Sequence, residues 1–86
     1  MPEIVIYSTT TCPYCVKAKM LLDKKKVAYQ EINLTLDPGR RDEMLKRANG
    51  RKTVPQIFIN NHHVGGCDDL YALESAGKLD ALLSRG

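Results

Sequence analysis

The sequence has few cysteines, no long hydrophobic run and little excess charge of either sign. Its three cysteines are too few, and odd in number, for the disulfide framework of a small secreted protein. The apolar run at residues 4–7 is too short to cross a bilayer or to form the core of a signal peptide. A net charge of +3 gives no reason to expect nucleic-acid binding. We therefore expect a cytoplasmic protein that contacts neither a membrane nor nucleic acid.

The composition is otherwise that of an ordinary globular chain. Hydrophobic residues make up 43% and charged residues 27%, and no repeat or linker-like segment interrupts the sequence. A chain of 86 residues has room for one hydrophobic core and not for two. The sequence therefore predicts a single domain over residues 1–86.

Hydrophobic periodicity predicts the element order β-α-β-α-β-β-α-α. The predicted strands cover residues 4–7, 27–34, 57–59 and 62–64, and the predicted helices begin at Pro13, after the N-cap Asp37, at Cys67 and at Leu79. Asn60 and Asn61 suit the turn between the last two strands, because asparagine accepts left-handed backbone angles. The first β-α-β unit predicts a parallel crossover, and the hairpin adds antiparallel strands. The expected fold is an α/β sandwich, with a mixed four-stranded sheet flanked by helices.

The most informative stretch is Cys12-Pro13-Tyr14-Cys15, where the first predicted strand gives way to the first helix. Free N–H groups and the helix dipole favour negative charge at a helix N-terminus, so we predict that Cys12 is an exposed thiolate nucleophile. Cys15 lies one helical turn deeper, where we expect a buried thiol within disulfide reach. It can then resolve a mixed disulfide formed on Cys12.

Two alternatives use the same cysteines differently. A structural zinc site usually takes four ligands in two separated pairs, and the remaining candidates are Cys67, His62 and His63. We assign both histidines to the surface of the hairpin. Incidental core cysteines are the second alternative, but Cys12 falls at a loop–helix junction and not on a buried stripe. We therefore predict redox chemistry and no metal site.

The segment Thr53-Val54-Pro55 predicts a surface that binds a ligand near the thiol. It precedes a strand for which the pattern gives no outer neighbour, and proline suits an edge or a strand start. The backbone of Val54 would then be free to pair with an extended, peptide-like ligand. An ordinary proline between a loop and a strand is the plainer alternative.

The segment Gly65-Gly66-Cys67-Asp68-Asp69 predicts a second part of this surface. The glycines allow a ligand to approach the backbone, and N–H groups of Cys67 and Asp68 at a helix start can hold a carboxylate. The Asp68 side chain can receive an ammonium group at the same time. A plain capped helix, with Cys67 as a small buried residue, is the alternative.

These three segments together resemble those of bacterial dithiol glutaredoxins, in the same order and at compatible spacing over nearly the whole chain. The resemblance implies a thioredoxin-like fold, no bound cofactor, and glutathione as the co-substrate. The residues that it implies for glutathione binding are Tyr14, Thr53, Val54, a cis Pro55, Gly66, Cys67 and Asp68. In the family, the backbone matching Val54 pairs with the cysteinyl part of glutathione, and the last three positions hold its γ-glutamyl end.

One position departs from the family pattern. A lysine commonly stands three residues before the nucleophile, where it helps to hold the glycyl carboxylate of glutathione, but this sequence has Thr9 there. The basic cluster over residues 40–52 motivates the hypothesis that Arg41 or Lys52 contacts the carboxylate instead.

The expected function is glutathione-dependent reduction of disulfide-bonded and glutathionylated proteins by a monomer, through a Cys12–Cys15 redox pair. The resemblance suggests ribonucleotide reductase among the protein substrates. The alternative is an iron–sulfur cluster carrier with Cys12 and glutathione as ligands across a dimer, against which Pro13 and Cys15 argue. A thioredoxin-type enzyme is a weaker alternative, because the sequence contains no tryptophan, which usually precedes that family's motif.

Overall fold

The structure, a computed structural model, describes residues 3–84. Residues 1, 2, 85 and 86 of the predicted domain lie outside the described residues. The strands are β1 (Ile4–Ser8), β2 (Gln30–Asn33), β3 (Gln56–Ile59) and β4 (His62–Gly65), and the helices are α1 (Pro13–Lys24), α2 (Arg41–Arg47), α3 (Cys67–Ser75) and α4 (Leu79–Leu83). A 3₁₀ helix, Pro38–Arg40, precedes α2. The predicted element order is confirmed.

The four strands form one mixed sheet in the order β2-β1-β3-β4. β1 is parallel to β2 and antiparallel to β3, and β3 is antiparallel to β4. Asn60 and Asn61 close the β3–β4 hairpin with φ values of 51° and 66°, so the turn predicted from the asparagines is confirmed. The carboxyl end of β1 and the start of β3 lie side by side, which brings the loops after β1 and before β3 together.

Two hydrophobic clusters cover opposite faces of the sheet. Alternating residues of β1 supply both, with Ile4 and Ile6 in one cluster and Val5 and Tyr7 in the other. The first cluster includes side chains from α1, α3 and α4, and the second includes Met44 of α2. β1 is therefore apolar at successive positions because both of its faces are covered.

The predicted second strand and the predicted N-cap of the second helix need correction. Strand β2 is shorter than residues 27–34, because its pairing with β1 begins at Gln30 and ends at Asn33. Val27 and Tyr29, before the strand, pack on the first cluster. Asp37 makes no side-chain capping bond. Pro38 opens the 3₁₀ helix instead, and α2 begins only at Arg41.

The prediction that both histidines lie on the hairpin surface is wrong for one of them. His62 is exposed, but the ring of His63 stacks on that of Phe58 at a centroid distance of 4.9 Å. Its Nε2 also lies 2.8 Å from Oε1 of Gln56. Side chains alternate between the two faces of a sheet, so the two histidines point to opposite faces. The sequence pattern does not show which of these faces is covered by other residues.

We expect His63 to make the stability of the fold depend on pH. Burial, together with the charge of Arg51, lowers the pKa of His63 below its usual value. As the pH falls through about 6.5, the unfolded chain takes up a proton at this position before the folded chain does, so the free energy of unfolding decreases. The melting temperature of His63→Gln should therefore fall less than that of the wild type between about pH 7.5 and about pH 5.5.

The exposed His62 provides the matched control. His62→Gln should change the pH dependence less than His63→Gln does, because the ring of His62 lies outside the contacts with Phe58 and Gln56 and its charge is the last of the causes that act on the pKa of His63. Equal pH dependence in the wild type and in both variants would contradict the role assigned to His63.

No helix within residues 3–84 combines the length and the apolar character that crossing a membrane requires.

Candidate active site

Cys12 occupies the N-cap position of α1, in the loop that follows β1. Its backbone is extended, with φ −133° and ψ 99°, and Pro13 stands in the first turn of the helix. The Sγ of Cys12 accepts a hydrogen bond from the backbone N–H of Cys15 at 3.1 Å, as a capping side chain does. Cys12 therefore lies at a helix N-terminus, as predicted, where N–H groups and the dipole favour negative charge.

The thiol of Cys12 is more enclosed than the sequence predicts. Only 9% of the residue is exposed, and its Sγ donates a hydrogen bond to the carbonyl oxygen of Val54 at 3.7 Å. The prediction of an exposed thiol is wrong in this respect, because the loop before β3 covers one side of Cys12. Only a small part of its surface is left for a substrate sulfur to approach.

Cys15 lies below Cys12 on the buried side of α1 and is 1% exposed. Burial first, and then the hydrogen bond with Cys12, raise the pKa of its thiol to about 12. Cys15 is therefore a protonated thiol at neutral pH. The expectation that Cys15 is the deeper and more buried thiol of the two agrees with the structure, whereas the ionised state predicted for Cys12 stays a prediction.

The loop before β3 carries Thr53, Val54 and Pro55, and the Val54–Pro55 peptide bond is cis, as the resemblance implied. The predicted lack of an outer neighbour for this strand is wrong, because β3 pairs with β1 on one side and with β4 on the other. The pairing with β1 nevertheless starts only at Gln56. Val54 therefore lies beyond the end of the paired strand.

Gln56 is a buried polar residue that supports this loop and that sequence analysis missed. It is 0% exposed, and its Nε2 donates to the backbone carbonyl of Thr53 at 2.9 Å and to the Thr53 Oγ1 at 3.1 Å. Its Oε1 faces the ring of His63. Both ends of the amide are thus bonded, which is what a buried polar group requires, and Thr53 is held in place.

The first turn of α3 forms the second wall of the site. The Asp69 carboxylate accepts a hydrogen bond from the backbone N–H of Gly66 at 2.9 Å and forms an ion pair with Arg51 at 3.3 Å. These two contacts lower the pKa of Asp69, the first more than the second. Gly65 has φ +116°, and a Cβ there would collide with the Asp69 carboxylate, so this turn needs glycine.

A cleft of about 310 Å³ separates the two walls. The residues that line it are Tyr14, Arg51, Thr53, Val54, Pro55, Gly66, Cys67, Asp68 and Asp69. All residues that the resemblance implies for glutathione binding are among them. Cys12 contacts one wall through the carbonyl of Val54. The structure therefore brings together three segments that are distant in sequence.

Neither basic residue predicted for a carboxylate contact lines this cleft within the described part of the chain. Arg41 is exposed at the start of α2, and Lys52 is exposed next to Thr53. Arg51 lines the cleft instead, and so does Asp69. The basic cluster pointed to this part of the chain, but it could not distinguish Arg51 from its neighbour.

Cys67 packs in the first hydrophobic cluster, and burial raises the pKa of its thiol. This agrees with the plainer interpretation of its side chain. All three cysteines are free. Within residues 3–84, no three His, Cys, Asp or Glu side chains converge in the way that binding a metal ion requires.

Comparison with known proteins agrees with the sequence motifs. The family model described as Glutaredoxin matches residues 4–64. A protein named Glutaredoxin from Pseudomonas aeruginosa is 60% identical over 84 residues, which cover 98% of this chain and 99% of that protein. Glutaredoxin 3 of Escherichia coli (strain K12) is 54% identical over 83 residues, covering 96% of this chain and 99% of that protein.

Solved structures agree with the fold. A crystal structure of a buckwheat glutaredoxin–glutathione complex has a TM-score of 0.87 at 33% identity and covers 98% of this chain and 78% of that one. The solution structure of a glutaredoxin from Brucella melitensis has a TM-score of 0.80 at 54% identity, with 94% and 87% covered. The fold is thus thioredoxin-like, with the mixed sheet and flanking helices predicted above. The chain belongs to the glutaredoxin family, whose members are enzymes that exchange thiols and disulfides.

Proposed function

We propose that this protein uses glutathione to reduce protein disulfides and mixed disulfides between proteins and glutathione. The observation that carries the proposal is the position of the Cys12 thiol, at the start of α1 and in contact with one wall of a cleft. The cleft has the size of a small-molecule site, and polar groups on both walls can orient a ligand. The crystallised buckwheat relative is a complex with glutathione, which supports the choice of ligand.

The cleft offers complementary groups for each part of glutathione. In this proposal, the backbone of Val54 pairs with the cysteinyl part and directs its sulfur toward Cys12. The N–H groups of Cys67 and Asp68 hold the γ-glutamyl carboxylate, and the Asp68 side chain holds the ammonium group. The other residues in contact with glutathione are Tyr14, Thr53, Pro55 and Gly66.

Reduction of a protein disulfide uses both cysteines. The Cys12 thiolate attacks one sulfur of the substrate, a Cys12–substrate disulfide forms, and the other substrate sulfur leaves as a thiolate that takes a proton. Cys15 then loses its proton and attacks the Cys12 sulfur, which releases the reduced substrate and leaves a Cys12–Cys15 disulfide. Two glutathione molecules reduce this disulfide and become one molecule of glutathione disulfide.

Removal of glutathione from a protein needs only Cys12. The Cys12 thiolate attacks the glutathione sulfur, and the protein thiol leaves in its reduced form. A second glutathione then attacks the glutathione sulfur on Cys12, which regenerates the thiol and yields glutathione disulfide. Substrates of the first route are disulfide-bonded proteins, among which we place ribonucleotide reductase. We place both routes in the cytoplasm, where a glutathione pool keeps thiols reduced.

A coupled assay tests the proposal. With glutathione, glutathione reductase, NADPH and a small glutathione mixed disulfide, we expect NADPH oxidation that requires both the protein and glutathione. Thioredoxin reductase in place of the glutathione system is the control and should give no turnover. Turnover with thioredoxin reductase alone, or none with glutathione, would contradict the proposal.

A further inference from the structure

We propose that Arg51 and Asp69 form a positioning pair that sets the distance between the two walls of the cleft. This inference rests on the proposed function, because its effect is measured on glutathione. Arg51 belongs to the loop that leads to Val54 and Pro55, whereas Asp69 belongs to the first turn of α3. Their side chains meet at 3.3 Å between Nη1 and Oδ2.

The contacts around the pair join both walls at one point. The oxygen of Asp69 that binds Arg51 also accepts the N–H of Gly66, so the loop, the ion pair and the start of α3 are linked. A Cβ on Gly65 would lie 2.8 Å from Arg51 Nη1, so the absence of a side chain there makes room for the pair. A Cβ on Gly66 would lie 3.5 Å from the carbonyl oxygen of Pro55, which shows how closely the walls approach.

This arrangement should affect the binding of the ligand more than the reactivity of the Cys12 sulfur. The pair ties the wall that carries Val54 to the wall that carries the N–H groups of Cys67 and Asp68. A ligand that bridges these walls needs them at a fixed separation, and fixing it in advance lowers the cost of binding. Breaking the pair should therefore weaken glutathione binding, while the position of the Cys12 thiol at the start of α1 stays the same.

The experiment compares Arg51→Met, Asp69→Asn and the double variant in the coupled assay. Asparagine keeps an oxygen that can accept the Gly66 N–H but removes the charge, so it isolates the ion pair. We expect each single variant to raise KM for glutathione about five-fold while kcat changes less than about two-fold, and the double variant to be no worse than the worse single one. Arg51→Lys should restore most of the wild-type KM, because it keeps the charge.

Lys46→Met and Asp42→Asn, which remove exposed charges on α2, are the matched controls and should keep the wild-type KM. Melting temperatures show whether each variant is folded at the assay temperature. An unchanged KM in folded Arg51→Met, additive effects in the double variant, or an equal rise in the controls would overturn the inference while leaving the proposed function intact. Failure of the wild type to use glutathione would instead overturn the proposed function.

Discussion

Cys12→Ser is expected to abolish both reductions, lowering kcat/KM by at least about three orders of magnitude. A serine hydroxyl in the same place can accept the N–H of Cys15, so the start of α1 is retained. It does not ionise at neutral pH, however, and it cannot form a disulfide. Both proposed routes begin with attack by this sulfur, so neither can start. The coupled glutathione assay and an assay that follows the reduction of a disulfide-bonded test protein measure the loss.

Cys15→Ser is the matched control for this variant, because it also removes one sulfur from the pair but should keep the removal of glutathione from a small mixed disulfide. A preparation of Cys12→Ser that melts like the wild type and still turns over either substrate at more than about a hundredth of the wild-type rate would show that another group attacks the disulfide.

Cys15→Ser should separate the two proposed activities. Removal of glutathione from a small mixed disulfide should stay within about three-fold of the wild type, whereas reduction of a protein disulfide should fall at least about a hundred-fold. The structural reason is that Cys15 is 1% exposed, so it cannot meet a substrate directly but can reach the sulfur of Cys12 from below. Burial, the largest cause, raises the pKa of Cys15 to about 12, so this thiol is neutral at the pH of the assay.

The trapped intermediate gives a second readout for Cys15→Ser. Without the second sulfur, a Cys12–substrate disulfide should accumulate, and intact-protein mass spectrometry should detect its mass until glutathione is added. Equal loss of both activities, with no trapped disulfide, would contradict the proposed division between the two cysteines.

Local patterns were sufficient to predict much of the fold. Residues 4–7 form a continuous apolar run because both faces of β1 are covered, and Asn60-Asn61 accepts the backbone angles of a tight turn wherever it occurs. The spacing of Cys12 and Cys15 in the sequence also places both residues within a single helical turn. These features depend on neighbours in the sequence, so the sequence predicts them.

Contacts between distant segments were not predictable in the same way. Arg51 and Lys52 have similar chemistry and adjacent positions, and only the partner Asp69, eighteen residues further on, distinguishes them. The enclosure of Cys12 depends on Val54, which is 42 positions away. A pattern of apolar and polar residues contains no information about such partners, so the candidate site was predicted in its motifs but not in its supporting contacts.

The buried amide of Gln56 joins the ring of His63 on β4 to Thr53 in the cleft loop. Substitutions at residues that do not line the cleft should therefore change the position of this loop. Mutant libraries that aim to change the ligand preference of the cleft should vary position 63 together with position 58, because the rings of His63 and Phe58 stack. Such variants would shift the ligand-facing backbone by small steps while every group in the cleft keeps its chemical identity.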